Sequence, residues 1–297
     1  MKTTTVSLLM FLLLPGNPLL AAQTDIETEI KPPIETETFT FAPTTHIYTP
    51  YLADPKRVTF AFQALSVSES NVPDNGRKRF GLRLGGRLEL FQHQWPATQT
   101  EPVKRLQANL EVGYRGYFDY SQSQDEIGWD GNYGLLFSYR GSDTIAYRLG
   151  VYHNSAHLGD EYIERTGRKR INYTREEYLA GMQVNFNPQW QVYVEGGLAY
   201  KLKDKPLQRK KRAQMGLQYQ HTGFEISGRL GWYAAADYSA YEERDWFINK
   251  SYQIGFSFDS RPHIWRLALE YHHGQIPLGE FFQHDEKYSG IGLYLDI

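Results

Sequence analysis

The chain has 297 residues, a formal net charge of −2 and no cysteine. The near-neutral charge argues against a nucleic-acid partner, and the missing thiols exclude a disulfide framework, a thiolate metal site and an N-terminal lipoprotein anchor. Aromatic residues are abundant, with 22 Tyr, 16 Phe and 6 Trp, yet mean hydropathy is negative, the balance expected when every second residue of many strands is polar.

Residues 1–22 read as a secretory signal peptide: Lys2 is followed by the apolar run Val6 to Leu14, then Pro15 and Gly16, with Ala21 and Ala22 before a cut near Gln23. That run is too short for a membrane helix and no later stretch supplies one, so the expectation is Sec export without a helical anchor. Residues 23–55 form a Thr/Glu/Pro-rich segment with Glu27, Glu29, Glu35, Glu37, Pro32 and Pro33. It has too little apolar surface to offset ordering and is expected to be a largely unstructured periplasmic linker, a plug being the less favoured alternative.

Residues 56–297 are expected to form the folded domain. Twelve stretches there alternate apolar and polar residues, at roughly 58–68, 79–91, 105–118, 131–140, 144–156, 171–186, 189–202, 211–220, 223–235, 248–258, 264–274 and 287–297. In the third, Leu106, Ala108, Leu110, Val112 and Tyr114 share one face and Gln107, Asn109, Glu111 and Arg115 the other. A strand sends successive side chains to opposite sides, and a membrane strand needs about 9 to 11 residues. The pattern predicts an all-β fold, an antiparallel transmembrane β-barrel of about 12 strands with its apolar face on lipid. A soluble barrel or sandwich would need those faces turned inward. Connections at Arg140–Asp143, Phe186–Gln189, Gln220–Gly223 and Asp259–His263 are short, whereas 119–130, 157–170, 203–210, 236–247 and 275–286 are longer. In outer-membrane barrels the short turns are periplasmic and the long loops extracellular.

The predicted inward faces carry Arg83, Arg87, Glu89, Glu111, Arg115, Arg148, Glu195, Arg212, Glu225, Arg229, Arg266 and Glu270. Mixed charges can pair across the lumen, which is expected to be polar and largely filled. The last strand, with Ile291, Leu293, Leu295 and Ile297 on one face, resembles the terminal strand by which the barrel assembly machinery recognises its substrates, although Ile297 replaces the usual aromatic.

Candidate chemistry sits in the fifth and sixth strands. Odd parity with Tyr147, Leu149 and Val151 places His153 and Ser155 outside the barrel near its extracellular end, and parity on the next strand places Asn172, Thr174 and Glu176 outside as well. A serine, a base and an orienting acceptor would then converge, with His153 taking the hydroxyl proton and Glu176 or Asn172 holding the imidazole. His157, Asp160 and Glu161 are candidate ligands for a divalent cation such as Ca2+. His272 and His273 are read as interfacial.

The run His153-Asn154-Ser155 resembles the His-x-Ser motif of outer-membrane phospholipase A and of the outer-membrane lipid A deacylases. That resemblance implies Ser155 as nucleophile, His153 as base and Asn172 or Glu176 as third member. Ala156 and His157 stand where the phospholipase has an Asn-Gly pair, which leaves the oxyanion donors open. Over residues 50–297 the chain also resembles a proteobacterial outer-membrane family classed as a domain of unknown function. The segments Tyr152-His153-Asn154-Ser155-Ala156-His157-Leu158-Gly159-Asp160-Glu161, Glu242-Glu243-Arg244-Asp245-Trp246 and Leu278-Gly279-Glu280-Phe281-Phe282 carry it. The sequence reading is therefore an outer-membrane barrel, monomeric or weakly dimeric, with acyl-ester hydrolysis of an outer-leaflet phospholipid or lipid A as the leading function. A pore or transporter and a structural barrel are the competing classes. The basic runs Arg165 to Arg170 and Lys201 to Arg212 are expected to meet lipopolysaccharide phosphates.

Overall fold

The computed structural model describes residues 36–297 apart from 74–75, 99, 204–205, 225–226 and 262; the predicted signal peptide, the first part of the linker and Glu225 lie outside the described residues. Among the described residues a single sheet contains β1 (Thr38–Phe41), β2 (Phe60–Ser70), β3 (Lys78–Trp95), β4 (Lys104–Asp119), β5 (Asp125–Arg140), β6 (Ile145–Leu158), β7 (Thr174–Asn185), β8 (Trp190–Leu202), β9 (Lys211–Phe224), β10 (Ser227–Tyr241), β11 (Asn249–Ser260), β12 (His263–Gln275) and β13 (Asp285–Asp296). Neighbours pair antiparallel from β2 through β13, and β13 pairs with β2, closing a 12-stranded barrel. The extra strand β1 was not anticipated. It pairs with Phe91–Gln94 of β3, a stretch below the six-residue ladder that β2 makes with β3.

Each of the twelve predicted strands is present. Several boundaries move, β3 running on to Trp95 and β10 to Tyr241. The loop expected at 119–130 shrinks because β5 begins at Asp125, pairing with Asp119, and no turn forms at Gln220–Gly223 because Gln220 and Thr222 stay in the ladder with β10. Strand β7 starts only at Thr174. Leu84, Leu88, Val112, Leu149, Phe256 and Leu269 are exposed on the outer wall, whereas the alternate positions are buried or half-buried. Such a wall can be covered only by lipid at acceptable cost.

The lumen is filled by charge pairs and by chain. Arg212 bridges Glu177 (2.6 Å) and Glu195 (2.8 Å), Arg148 pairs with Glu195, and Arg79 pairs with Glu286 at 2.6 Å. Arg229 is an exception to the predicted inward set, being exposed near the start of β10.

The segment expected as a periplasmic linker is corrected over residues 44–55, which together with Lys56 and Arg57 run inside the barrel. Luminal glutamines read its backbone. Gln107 accepts from the Ile47 N–H (3.0 Å) and donates to the Thr45 carbonyl (2.6 Å), and Gln218 does the same for the Leu52 N–H (3.1 Å) and the Pro50 carbonyl (3.3 Å). Gln183 accepts from the Thr49 N–H at 3.1 Å. These amides supply the partners that a buried irregular chain needs. Tyr48 and Tyr51 are buried, Tyr51 stacking on Tyr193 with ring centroids 3.7 Å apart. The Thr/Glu/Pro composition hid this because the apolar payload is concentrated in Ile47, Tyr48, Tyr51 and Leu52.

The long-loop end is capped from inside. Residues 276–284, containing a 3-10 turn at Gly279–Phe281, pack Ile276, Leu278 and Phe281 against Leu65, Ile127, Leu158 and Tyr162. Tyr162 belongs to the helix α1 (Asp160–Thr166) in the loop after β6. Asp130 accepts from the Gly279 N–H at 2.9 Å and Arg115 donates to the Pro277 carbonyl at 2.8 Å, fastening the cap to the wall.

Candidate active site on the outer wall

Strand β6 has the parity read from its sequence. Tyr147, Leu149 and Val151 are exposed on the outside, while Arg148 pairs with luminal Glu195 and Asn154 donates to buried Asp130 (3.4 Å). His153, Ser155 and His157 therefore share the outer face near the long-loop end. The ladder places Glu176 directly across from His153 and Thr174 across from Ser155. His153 Nδ1 stands 3.8 Å from Glu176 Oε1, and its ring stacks on Tyr133 of β5 with centroids 4.5 Å apart and planes 16° apart. That stack fixes the imidazole against the wall. Among the described residues no hydrogen bond joins His153 to Ser155, and His153 Nδ1 is buried without a hydrogen-bond partner.

On the other side Ser155 faces Gly131. A Cβ there would lie 3.8 Å from Ser155 Oγ and 3.3 Å from the Trp129 ring, so the glycine leaves the hydroxyl's flank open. His157 stacks on Trp129 (centroids 4.1 Å, planes 18°), and its Nδ1 accepts a hydrogen bond from the Arg170 guanidinium. Ser155 thus sits between two ring-stacked histidines, one facing a carboxylate and one facing a cation.

Glu176 is drawn two ways. The register shifts between Glu176 and Glu177, so Tyr200 and Lys201 of β8 both lie outside. Lys201 Nζ approaches Glu176 Oε1 at 2.8 Å, and Tyr200 brings its hydroxyl to the same carboxylate. Strand parity alone assigns Lys201 to the lumen; the bulge reverses it.

Asn172 is corrected: it precedes β7 rather than lying on it, with φ 55°. The cause is Glu280 of the cap, whose carboxylate accepts from the Ile171 N–H (2.8 Å), the Tyr173 N–H (3.3 Å) and the Asn172 N–H between them. Wrapping three consecutive amides around one carboxylate requires the left-handed residue in the middle. Asp160 and Glu161 form the exposed first turn of α1, His157 is engaged with Arg170 and Trp129, and among the described residues no group of three candidate ligands assembles there. His272 is also corrected, from interfacial to luminal: it is buried, with Ser251 Oγ 2.9 Å from its Nδ1 and the Gln275 carbonyl 2.9 Å from its Nε2. This Ser–His pair has the hydrogen bond that Ser155 and His153 lack, but both its members are buried inside the wall.

A closed antiparallel wall with an apolar outer band, a charged lumen and strands of this length defines a β-barrel of the outer-membrane class. Residues 23–296 match the family described as protein of unknown function (DUF1207), and the chain belongs to that family. Among solved structures, outer membrane phospholipase A from Escherichia coli aligns over 80% of this chain and 92% of its own, with 12% identity and TM-score 0.53. The phospholipase dimer from Salmonella typhi, solved with bound calcium, aligns over 85% and 94%, with 14% identity and TM-score 0.51. LpxR from Salmonella typhimurium aligns over 80% and 100%, with 11% identity and TM-score 0.39. At these identities the likeness to the two phospholipases is one of fold. No curated protein matches the chain.

Proposed function

We propose that this barrel is a serine acyl-ester hydrolase working from its outer wall on a lipid of the outer leaflet, phospholipid or lipid A, after Sec export and insertion by the barrel assembly machinery. The observation that carries the reading is the outward trio His153, Ser155 and Glu176 at the long-loop end, where lipid ester groups lie and where a polar lipid-facing residue costs little. Ser155 Oγ attacks the ester carbon as His153 takes its proton. Glu176 orients the imidazole after a side-chain rotation closes the 3.8 Å gap, a looseness common in substrate-free sites. The C–O bond to the lipid alcohol then breaks, the alcohol receiving the proton from His153. Water, deprotonated by His153, attacks the acyl-serine, releasing fatty acid and restoring Ser155. Arg170, on the far side of Ser155, supplies positive charge toward the tetrahedral oxyanion and neutral His157 offers its other ring N–H, a role the Asn-Gly departure had left unfilled. Basic residues at the long-loop end such as Arg170 and Lys201 also suit the phosphates of lipopolysaccharide.

The test is fatty-acid release from phospholipid and from lipid A in mixed micelles, with labelling of Ser155 by a fluorophosphonate. Ser155→Ala and His153→Ala should each remove nearly all activity, with no further loss in the double variant, because nucleophile and base act as a unit. Undiminished hydrolysis by Ser155→Ala, or a folded wild type that neither labels nor hydrolyses, refutes the reading.

A further inference from the structure

Between the luminal segment 44–57 and the cap 276–284 lies a cavity of about 410 Å³, running from Thr44, His46 and Ile297 at the short-turn end to Tyr173 and Tyr241 beneath the cap. That is within the size range of small-molecule sites. Seven arginines and Lys56 line it, against five carboxylates. Further partners, Glu89 for Arg87, Asp130 for Arg115 and Glu243 for Arg175, are not among the lining residues. A solute in the cavity therefore meets more cations than anions.

Hydrogen-bond accounting points the same way. Arg57, from the luminal segment, and Arg266, from β12, share the single carboxylate Asp296. The Nε–H groups of Arg57, Arg266 and Arg148 are buried without an acceptor, whereas Asn154 Oδ1 is the one orphan acceptor among the described lining residues. Buried donors without acceptors are costly, and a ligand offering several oxygen acceptors and negative charge would meet both deficits. We infer that the lumen is a binding site for a small oxyanion-bearing solute, a phosphate or a sugar acid, reached from the short-turn end and blocked above by the cap. The site is independent of the outer-wall chemistry.

Isothermal titration of the full chain in detergent with inorganic phosphate, glucuronate and glucose tests this. Saturable binding of phosphate, glucuronate or both, absent for glucose and weakened by added salt, is the expected result, and the two anions tell a phosphate site from a carboxylate one. Arg57→Gln and Arg266→Gln should each weaken it about tenfold or more. Arg57 comes from the luminal segment and not the wall, so its variant remains informative if Arg266→Gln does not fold. No saturable binding of either anion to the wild type, glucose binding as well as glucuronate, or unchanged affinity in folded variants would overturn the inference.

Discussion

Lys201 Nζ lies 2.8 Å from Glu176 Oε1 on the outside of the barrel, although the alternation of β8 assigns Lys201 to the lumen. The bulge opposite Glu176 lets a lysine compete with His153 for the carboxylate that would orient it. Lys201→Met should therefore raise the rate of fatty-acid release with little change in KM, and Glu176→Gln should lower it by less than His153→Ala does. Both variants should keep the wild-type heat-modifiable mobility in gels, Lys201 being exposed and Glu176 half-buried at the rim. A Lys201→Met protein with no hydrolysis would contradict the orienting role of Glu176.

Space beside Ser155 depends on Gly131. Gly131→Ala should fold with a slight shift of the Trp129 ring, since the added Cβ meets that ring at 3.3 Å, whereas Gly131→Leu should cover the hydroxyl and suppress fluorophosphonate labelling. Gly159 provides the contrast. A Cβ there would fall 1.7 Å from the Glu126 carbonyl oxygen, so Gly159→Ala must displace the start of α1. Overpacking of that kind costs about 1–3 kcal/mol, measurable as a lower midpoint of the heat-induced mobility shift. Equal labelling of Gly131→Leu and wild type would disprove an open flank.

The luminal segment is held by side-chain amides of the wall. Gln218→Ala leaves the Leu52 N–H and the Pro50 carbonyl without their partner, a loss of about 1–3 kcal/mol for a buried polar group left unsatisfied. Gln107→Ala should behave alike through Ile47 and Thr45. The expected readout is faster proteolysis within 44–57 in the folded barrel and a lower unfolding midpoint, and unchanged values for both variants would show that the segment is held by packing alone.

The cap should loosen as pH rises. Burial pushes the Glu280 carboxyl up from its usual range, against the pull of the backbone N–H groups of Ile171, Tyr173 and Asn172 and of the Arg170 charge. The folded cap then binds more protons than the open one, so its stability is greatest below the ordinary carboxylate pKa near 4.5 and falls as pH rises through the elevated value. His284 opposes this: burial and Arg168 hold its imidazole below 6.5, so its contribution is lost as pH falls. In Glu280→Gln only the His284 trend should remain, and hydrogen exchange in 276–284, corrected for intrinsic rates, should slow with rising pH instead of quickening. The same pH trend in variant and wild type would exclude Glu280 as its source.

The twelve wall strands, the outward placement of His153 and Ser155 and the charged lumen were legible in the chain because the two-residue period of a strand is local geometry, carried from each residue to the next without reference to the rest of the fold. The family segments Glu242 to Trp246 and Leu278 to Phe282 were visible but mute, and only the fold shows the second of them as a cap whose Glu280 turns Asn172 out of the strand. A bulge shifts parity by one residue without a marker at Tyr200, so Lys201 could not be placed from alternation. Nothing local marks Gln107, Gln183 and Gln218, because the chain they grip lies 60, 134 and 166 residues away in sequence. Closure of the barrel brings those groups together, and once they are buried without water each amide must find a partner; that requirement, which acts across space and not along the chain, decided where residues 44–57 lie.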